Sequence, residues 1–283
     1  MMARSAIITV MTKAAEKAAI RLVRDFGEVE KLQVSRKGVA DFVSQADLKA
    51  EETLRAELEK ARPGYGFLLE EGGEVKGDGV NRWIIDPLDG TVNFLHGIPH
   101  FSISLALERE GEIIAGVILD PVKHELFHAE KGGGAFLNDF RLRVSARRDL
   151  PTAVVGCWLP VAGSSGHEKI LKQVAAVMPQ TGGIRCFGGA ALNLAYVAAG
   201  RLDGYWEEGL KPWDMAAGML MVKEAGGYVS DITGGTRMMA TSSVVAANDQ
   251  LHHKLGQLLR KATPPAVKAA PKPEAAAEDP TKA

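Results

Sequence analysis

The segment Trp83-Ile-Ile-Asp-Pro-Leu-Asp-Gly-Thr91 constrains the fold of this chain more than any other. Three apolar residues of strand type run straight into two carboxylates, a proline and a glycine. Pro87 presets its own φ and removes a backbone donor, so a regular strand bends there. Gly90 permits a turn that a side chain would hinder. Such a bend can aim Asp86, Asp89 and a backbone carbonyl at one point, and hard oxygen donors of this kind suit Mg²⁺. The amides of Gly90 and Thr91 would then open a helix and face an anion. The same residues also read as an Asp-Pro turn closed by Asp and Gly, which needs no ligand.

Two further acidic sites bear on that choice. Phe67-Leu-Leu69 is another short apolar run that ends in carboxylates, Glu70 and Glu71, and Trp213-Asp214 stands at the start of a helical pattern far downstream. Taken singly, the first is a solvated strand end and the second a helix cap. Gathered around Asp86 and Asp89, they make a cluster that is costly without cations, because like charges raise one another's pKa. The acidic set therefore predicts a metal.

Around these sites the pattern is that of a layered α+β or α/β protein. Helical periodicity runs over about residues 5–25 and over Ala46 to Ala61, where Arg62-Pro-Gly64 stops it. Phe101 to Leu107, a charged turn, and Ile113 to Leu119 form a hairpin signal. Glu125 to Ala129 and Ala135 to Leu137 continue an antiparallel meander. In the second half, Val154-Val155, Ile184 to Phe187, Gly204 to Trp206, Tyr228-Val229 and Val244 to Ala246 read as strands. His167 to Val177, Ala190 to Ala199, Asp214 to Ala225 and Leu251 to Ala262 read as helices. Met215, Met219, Leu220 and Val222 mark the core face of the third of these. Residues 1–262 form the folded domain. The Pro, Ala, Lys and Glu-rich tail 263–283 cannot bury enough surface to order itself.

With 283 residues, 46% of them apolar and 24% charged, the chain can bury a core, and its net charge of −1 carries no basic field for nucleic acid. No apolar run approaches the roughly 20 residues that span a bilayer. Two cysteines, Cys157 and Cys186, make no disulfide framework, suit a reducing cytoplasm and read as buried thiols. His96 and His100, and His124 and His128, have the spacing of zinc pairs but no third ligand, so they read as surface or loop histidines. Gly132-Gly-Gly134 reads as a hairpin turn.

Together, Glu70-Glu-Gly72, Trp83-Ile-Ile-Asp-Pro-Leu-Asp-Gly-Thr-Val-Asn-Phe94 and Trp213-Asp-Met-Ala-Ala-Gly218 resemble the inositol monophosphatase family, in that family's order, across roughly Ile20 to Leu259. Gly188-Gly-Ala-Ala-Leu-Asn193 adds to the likeness. The resemblance implies a five-layered αβαβα sandwich, a homodimer, lithium sensitivity and Mg²⁺-dependent hydrolysis of a small phosphate monoester, first among them inositol 1-phosphate. It implies that Glu70, Asp86 and the Leu88 carbonyl hold one Mg²⁺, and that Asp86, Asp89 and Asp214 hold a second. It implies that Glu70 and Thr91 activate water and that the amides of Gly90 and Thr91 bind phosphate. Ala190, Glu207 and Asp214 would line the alcohol side, and Asp47 and Glu71 would help hold a weaker third ion through water. Lys37 and Asp41 belong either to a loop over the metals or to an ordinary loop before a helix cap at Asp47. Relatives with this metal motif act on histidinol phosphate or on bisphosphates. Some bacterial members also work with the antitermination machinery, so RNA polymerase and Nus factors are alternative partners. Asp89→Asn would abolish turnover with little loss of fold.

Overall fold

The computed structural model describes residues 4–28, 34–37, 41–161 and 163–263, the segments 34–37 and 41–44 by their backbone alone. The tail beyond Thr263 lies outside the described residues, as does the side chain of Lys37.

The chain opens on α1 (Ala6–Phe26), capped by Ser5, whose hydroxyl accepts from the Ile8 amide. β1 (Val34–Lys37) and β2 (Asp41–Ser44) pair as a hairpin where the sequence suggested only a loop. α2 (Gln45–Ala61) follows at once, so Asp47 sits inside its first turn rather than capping it. Next come β3 (Gly66–Leu69), β4 (Gly73–Val75), β5 (Asn81–Asp89) and the short α3 (Thr91–Leu95). β6 (Ser102–Arg109), β7 (Glu112–Asp120), β8 (Glu125–Glu130), β9 (Gly134–Leu137) and β10 (Phe140–Arg141) complete an eight-stranded sheet. Its order is β10-β9-β8-β7-β6-β5-β3-β4, antiparallel apart from β3 beside β5.

The second half supplies β11 (Val154–Cys157), α4 (His167–Val177), β12 (Gly183–Arg185), α5 (Ala190–Ala198), β13 (Gly204–Glu208) and α6 (Pro212–Glu224). β14 (Tyr228–Ser230), α7 (Met238–Thr241), β15 (Ser243–Ala247) and α8 (Asp249–Ala262) close it. Its five-stranded sheet has the order β12-β11-β13-β15-β14, with β12, β11 and β13 mutually parallel.

Strand alternation dictates the layers. On β5, Trp83 and Ile85 pack with Met11, Leu22, Leu54 and Leu58 of α1 and α2, while Ile84 points the other way, into a core shared with α5 and α6. On β13 and β15, Tyr205, Val244 and Ala246 join that same central core. Trp206 and Val245 face outward, onto Val177 of α4 and Leu255 and Leu259 of α8. The result is α1/α2, sheet, α5/α6, sheet, α4/α8, the five layers that the resemblance implied. Sandwiched between two sheets, α6 has no solvent side. Met215 through Val222 are all buried, so the expected stripe is in fact the whole circumference. Among the described residues, no helix is long and apolar enough to cross a membrane.

The central layer is tightest where α5 crosses α6. A Cβ on Gly218 would stand 2.5 Å from Leu194 Cβ. Gly218→Ala is therefore expected to lower the unfolding free energy by about 1–3 kcal/mol, through overpacking that neither helix can relieve. A urea titration that finds the variant as stable as wild type would contradict this packing.

Candidate active site

β5 delivers most of the site. Its pairing with β6 runs regularly to Asp86 opposite Ser104 and resumes at Asp89 opposite Ser102, so one extra residue is accommodated between them. This β-bulge bends the strand and re-aims its side chains. Pro87, which cannot serve a ladder, occupies it. Asp86 Oδ1 accepts from the Leu88 amide at 3.0 Å, closing the turn. Gly90 follows with φ +92°, and a Cβ there would lie 3.0 Å from the His100 carbonyl, so no other residue fits this corner.

A cavity of about 820 Å³ opens over this bend. Glu70, Asp86, Leu88 and Asp89 line it, with Gly90 and Thr91 beside them. Ala190, Glu207 and Asp214 line it as well. Asp47 is buried behind this wall, close enough for its charge to act on Asp86. Glu71 does the same to Glu70 from the turn after β3. Asp214 is the third residue of α6, not its first. Its carboxylate accepts from the Lys211 amide at 2.7 Å, because the helix begins two residues earlier, at Pro212.

Some bonds were invisible in the sequence. Asp89 accepts from the amides of Ala190 (3.1 Å) and Ala191 (2.9 Å), so it satisfies the start of α5, whose cap residue Gly189 has no side chain to offer. Asn93 Nδ2 lies within bonding distance of the carbonyls of His100, Phe187 and Gly188, and so fastens α3 to the segment before α5. Glu51, one turn beyond Asp47 on the same face of α2, accepts from the amides of Glu71 and Gly72 and orients the Glu70 turn. The i, i+4 spacing of Asp47 and Glu51 was the one available signal.

The electrostatics follow from burial. Burial, then the charge of Asp214, pushes Glu70 up to about 8. Burial, then the charge of Glu70, holds Asp86 well above the usual carboxylate range. Burial raises Asp214 to about 7 and Asp89 to about 6, in each case against the backbone amides they accept from. Glu207 is also pushed well up by burial, opposed by the hydroxyl of Tyr205 that donates to it. The lysine in the wall, Lys169, is paired with Glu208 and gives these carboxylates no counter-charge.

Among the described residues, no three His, Cys, Asp or Glu side chains already close a cage around one point. The donor set still fits a hard divalent cation: oxygens only, crowded, and short of positive charge. The histidines do not contribute. His96 and His124 are exposed and His100 is buried in a loop, whereas His128 is buried on β8, contrary to the surface or loop placement expected of it. His100 packs on Phe187 and Tyr196, and His128 stacks on Phe136. Cys157 is buried as expected, whereas Cys186 is exposed.

The sequence profile of the inositol monophosphatase family matches residues 3–263. The chain belongs to that family. An inositol-1-monophosphatase of Mesorhizobium japonicum is 57% identical over 261 residues, which is 92% of this chain and 98% of that protein. The Nus factor SuhB of Escherichia coli K12 is 40% identical over 246 residues, 87% of this chain and 92% of that one. Among solved structures, the extragenic suppressor protein suhB of Bartonella henselae superposes with a TM-score of 0.89 at 55% identity, covering 91% of this chain and 99% of that one. The match of layers to this family's structures is thus a likeness of sequence as well as of fold.

For this family member without bound cations, carboxyls raised above their unfolded values keep protons in the folded state that the unfolded chain has lost. Stability then falls as pH rises from about 4, near the unfolded values, through about 8. Thermal melts of the metal-stripped chain should show Tm dropping over that window, and saturating Mg²⁺ should restore it most at the alkaline end. A Tm that rises with pH would contradict the assigned burial.

Proposed function

We propose that this chain is a Mg²⁺-dependent phosphatase that hydrolyses inositol 1-phosphate to inositol and phosphate. The observation that carries this reading is that one cavity is lined by the crowded carboxyls of Glu70, Asp86, Asp89 and Asp214 together with the buried carboxyl of Glu207. In this reading Glu70, Asp86 and the Leu88 carbonyl hold one Mg²⁺, and Asp86, Asp89 and Asp214 a second. Bound there, Mg²⁺ neutralises the phosphate dianion, makes water more acidic and stabilises the departing alkoxide. Asp47 and Glu71 add negative charge from behind.

The remaining roles fall to the chain itself. The Thr91 hydroxyl donates to the Leu88 carbonyl at 3.0 Å, which leaves its oxygen lone pairs turned to accept a proton from water. Glu70, a carboxylate once cations have displaced its proton, takes that proton on. The amides of Gly90, which precedes α3, and of Thr91, its first residue, lack intrahelical acceptors and donate to phosphate oxygens. Ala190 floors the alcohol side. Glu207, fixed by Tyr205, accepts from polyol hydroxyls. Residues 1–262 act as one catalytic domain, in a cytoplasmic, lithium-sensitive homodimer.

A phosphate-release assay over a panel of monoesters should show turnover with Mg²⁺ and none in chelated buffer, with kcat/KM highest for inositol 1-phosphate. A large preference for histidinol phosphate would overturn the substrate assignment, and full turnover in chelator would overturn the metal. Glu207→Ala should cost inositol 1-phosphate about tenfold in kcat/KM or more, chiefly through lost hydroxyl pairing. Asp89→Asn should abolish turnover. Because it also leaves one amide at the start of α5 facing an NH₂ group, it should cost about 1–2 kcal/mol of stability as well, more than the sequence suggested. Circular dichroism melts beside the assay separate the two effects.

The relatives named Nus factor support a second reading, association with RNA polymerase and Nus factors. A pull-down from cell extract with wild type and Asp89→Asn tests it. Equal capture by both makes the association independent of turnover, and no capture by either removes it.

A further inference from the structure

The parallel strands β12, β11 and β13 end at the cavity wall. Their register sets Val154 beside Gly183, Val155 beside Ile184 and Gly156 beside Arg185. Continued by one residue, it sets Cys157 beside Cys186, and their sulfurs lie 3.5 Å apart. A disulfide bridges Cα atoms roughly 4.4–6.8 Å apart with sulfurs at about 2.05 Å, and neighbouring strands are about 4.8 Å apart. Bond formation here asks for side-chain movement of about 1.5 Å and no change of register.

The two thiols are unlike in the way such a pair requires. Cys186 is exposed and lines the cavity. Cys157 is sealed among Val155, Trp206 and Val245. Burial, and then the charge of Cys186, pushes the Cys157 thiol up, which keeps it protonated until a partner sulfur is offered. One thiol meets small oxidants from solvent, and the other meets only its neighbour.

We propose that Cys157 and Cys186 form a reversible disulfide site in the cavity wall, oxidised by hydroperoxides. The Cys186 thiolate attacks a peroxide oxygen and the O–O bond breaks. The expelled oxygen leaves with a proton as water or an alcohol, and Cys186 is left as a sulfenic acid. The Cys157 sulfur then attacks the Cys186 sulfur and the S–O bond breaks. Hydroxide departs as water with the Cys157 proton. The two thiols lose two electrons and two protons in all, and the peroxide gains them.

The site is wired to the chemistry. Cys186 is followed by Phe187 and Gly188, whose carbonyls anchor Asn93, and then by Ala190 and Ala191, whose amides hold Asp89. A new bond at Cys186 pulls on both. Its effect on turnover rests on the phosphatase reading; the bond itself does not.

The test treats the reduced full chain with hydrogen peroxide, blocks remaining thiols and maps a non-reducing digest by mass spectrometry. The expected product is a Cys157–Cys186 cross-linked peptide pair within single chains, lost on adding dithiothreitol and absent from Cys157→Ser and Cys186→Ser. Cys157→Ser should instead trap a dimedone-reactive sulfenic acid at Cys186. Sulfinic acid on Cys186 with Cys157 still a thiol would overturn the proposal, as would cross-links only between chains. On the same samples, oxidation should lower kcat about tenfold or more, reversibly, given the cost of small displacements at a reacting site. Full cross-linking with unchanged kcat would overturn the wiring. A reduced chain inactive on inositol 1-phosphate would instead sink the phosphatase reading and leave the cross-link result standing.

Discussion

The burial of several carboxyls in one cavity is the constraint on which the rest of this structure depends. Glu70, Asp86, Asp89 and Asp214 line one cavity, and each is held above its ordinary pKa chiefly by burial. Glu207 adds a fifth carboxyl to the same lining. A fold does not gather such groups for its own stability, because burying unpaired charge costs free energy. The arrangement makes physical sense as a receptor for cations.

The scaffold reduces that cost by giving acidic side chains backbone donors. Asp89 satisfies the start of α5 and Asp214 the start of α6, so two of the four also serve as helix caps. These two helices form the central layer and pack against both sheets. The position of the site and the integrity of the middle of the molecule are therefore one problem. Substitutions at Asp89 or Asp214 touch both, and an activity loss there is interpretable only beside a stability measurement.

Much of this was legible in the sequence where it is local. Trp83-Ile-Ile85 running into Asp86, the Pro87 bend and the Gly90 corner declare themselves within a few residues, since strand alternation and positive φ are properties of short segments. What escaped is long-range. The hydrogen bonds of Asp89 to α5, of Asn93 to the Phe187 and Gly188 carbonyls, and of Glu51 to the Glu71 turn join segments with no common periodicity. His128 read as a surface or loop residue because imidazole polarity outweighs, in a sequence, the aromatic neighbour that tertiary packing supplies. α6 read as one-faced because nothing within it reports a second sheet on its far side. Cys186 read as buried because the exposure of a single thiol at a strand end depends on the cavity it borders.

Calorimetry of Mg²⁺ binding to the metal-stripped chain near pH 7, in buffers of different ionisation enthalpy, tests the central claim most directly. Carboxyls held protonated by burial and by neighbouring charge must give up protons when a cation replaces them. The account predicts net proton release on binding in wild type, diminished in Asp86→Asn. Tight Mg²⁺ binding with no proton release, unchanged in that variant, would contradict it.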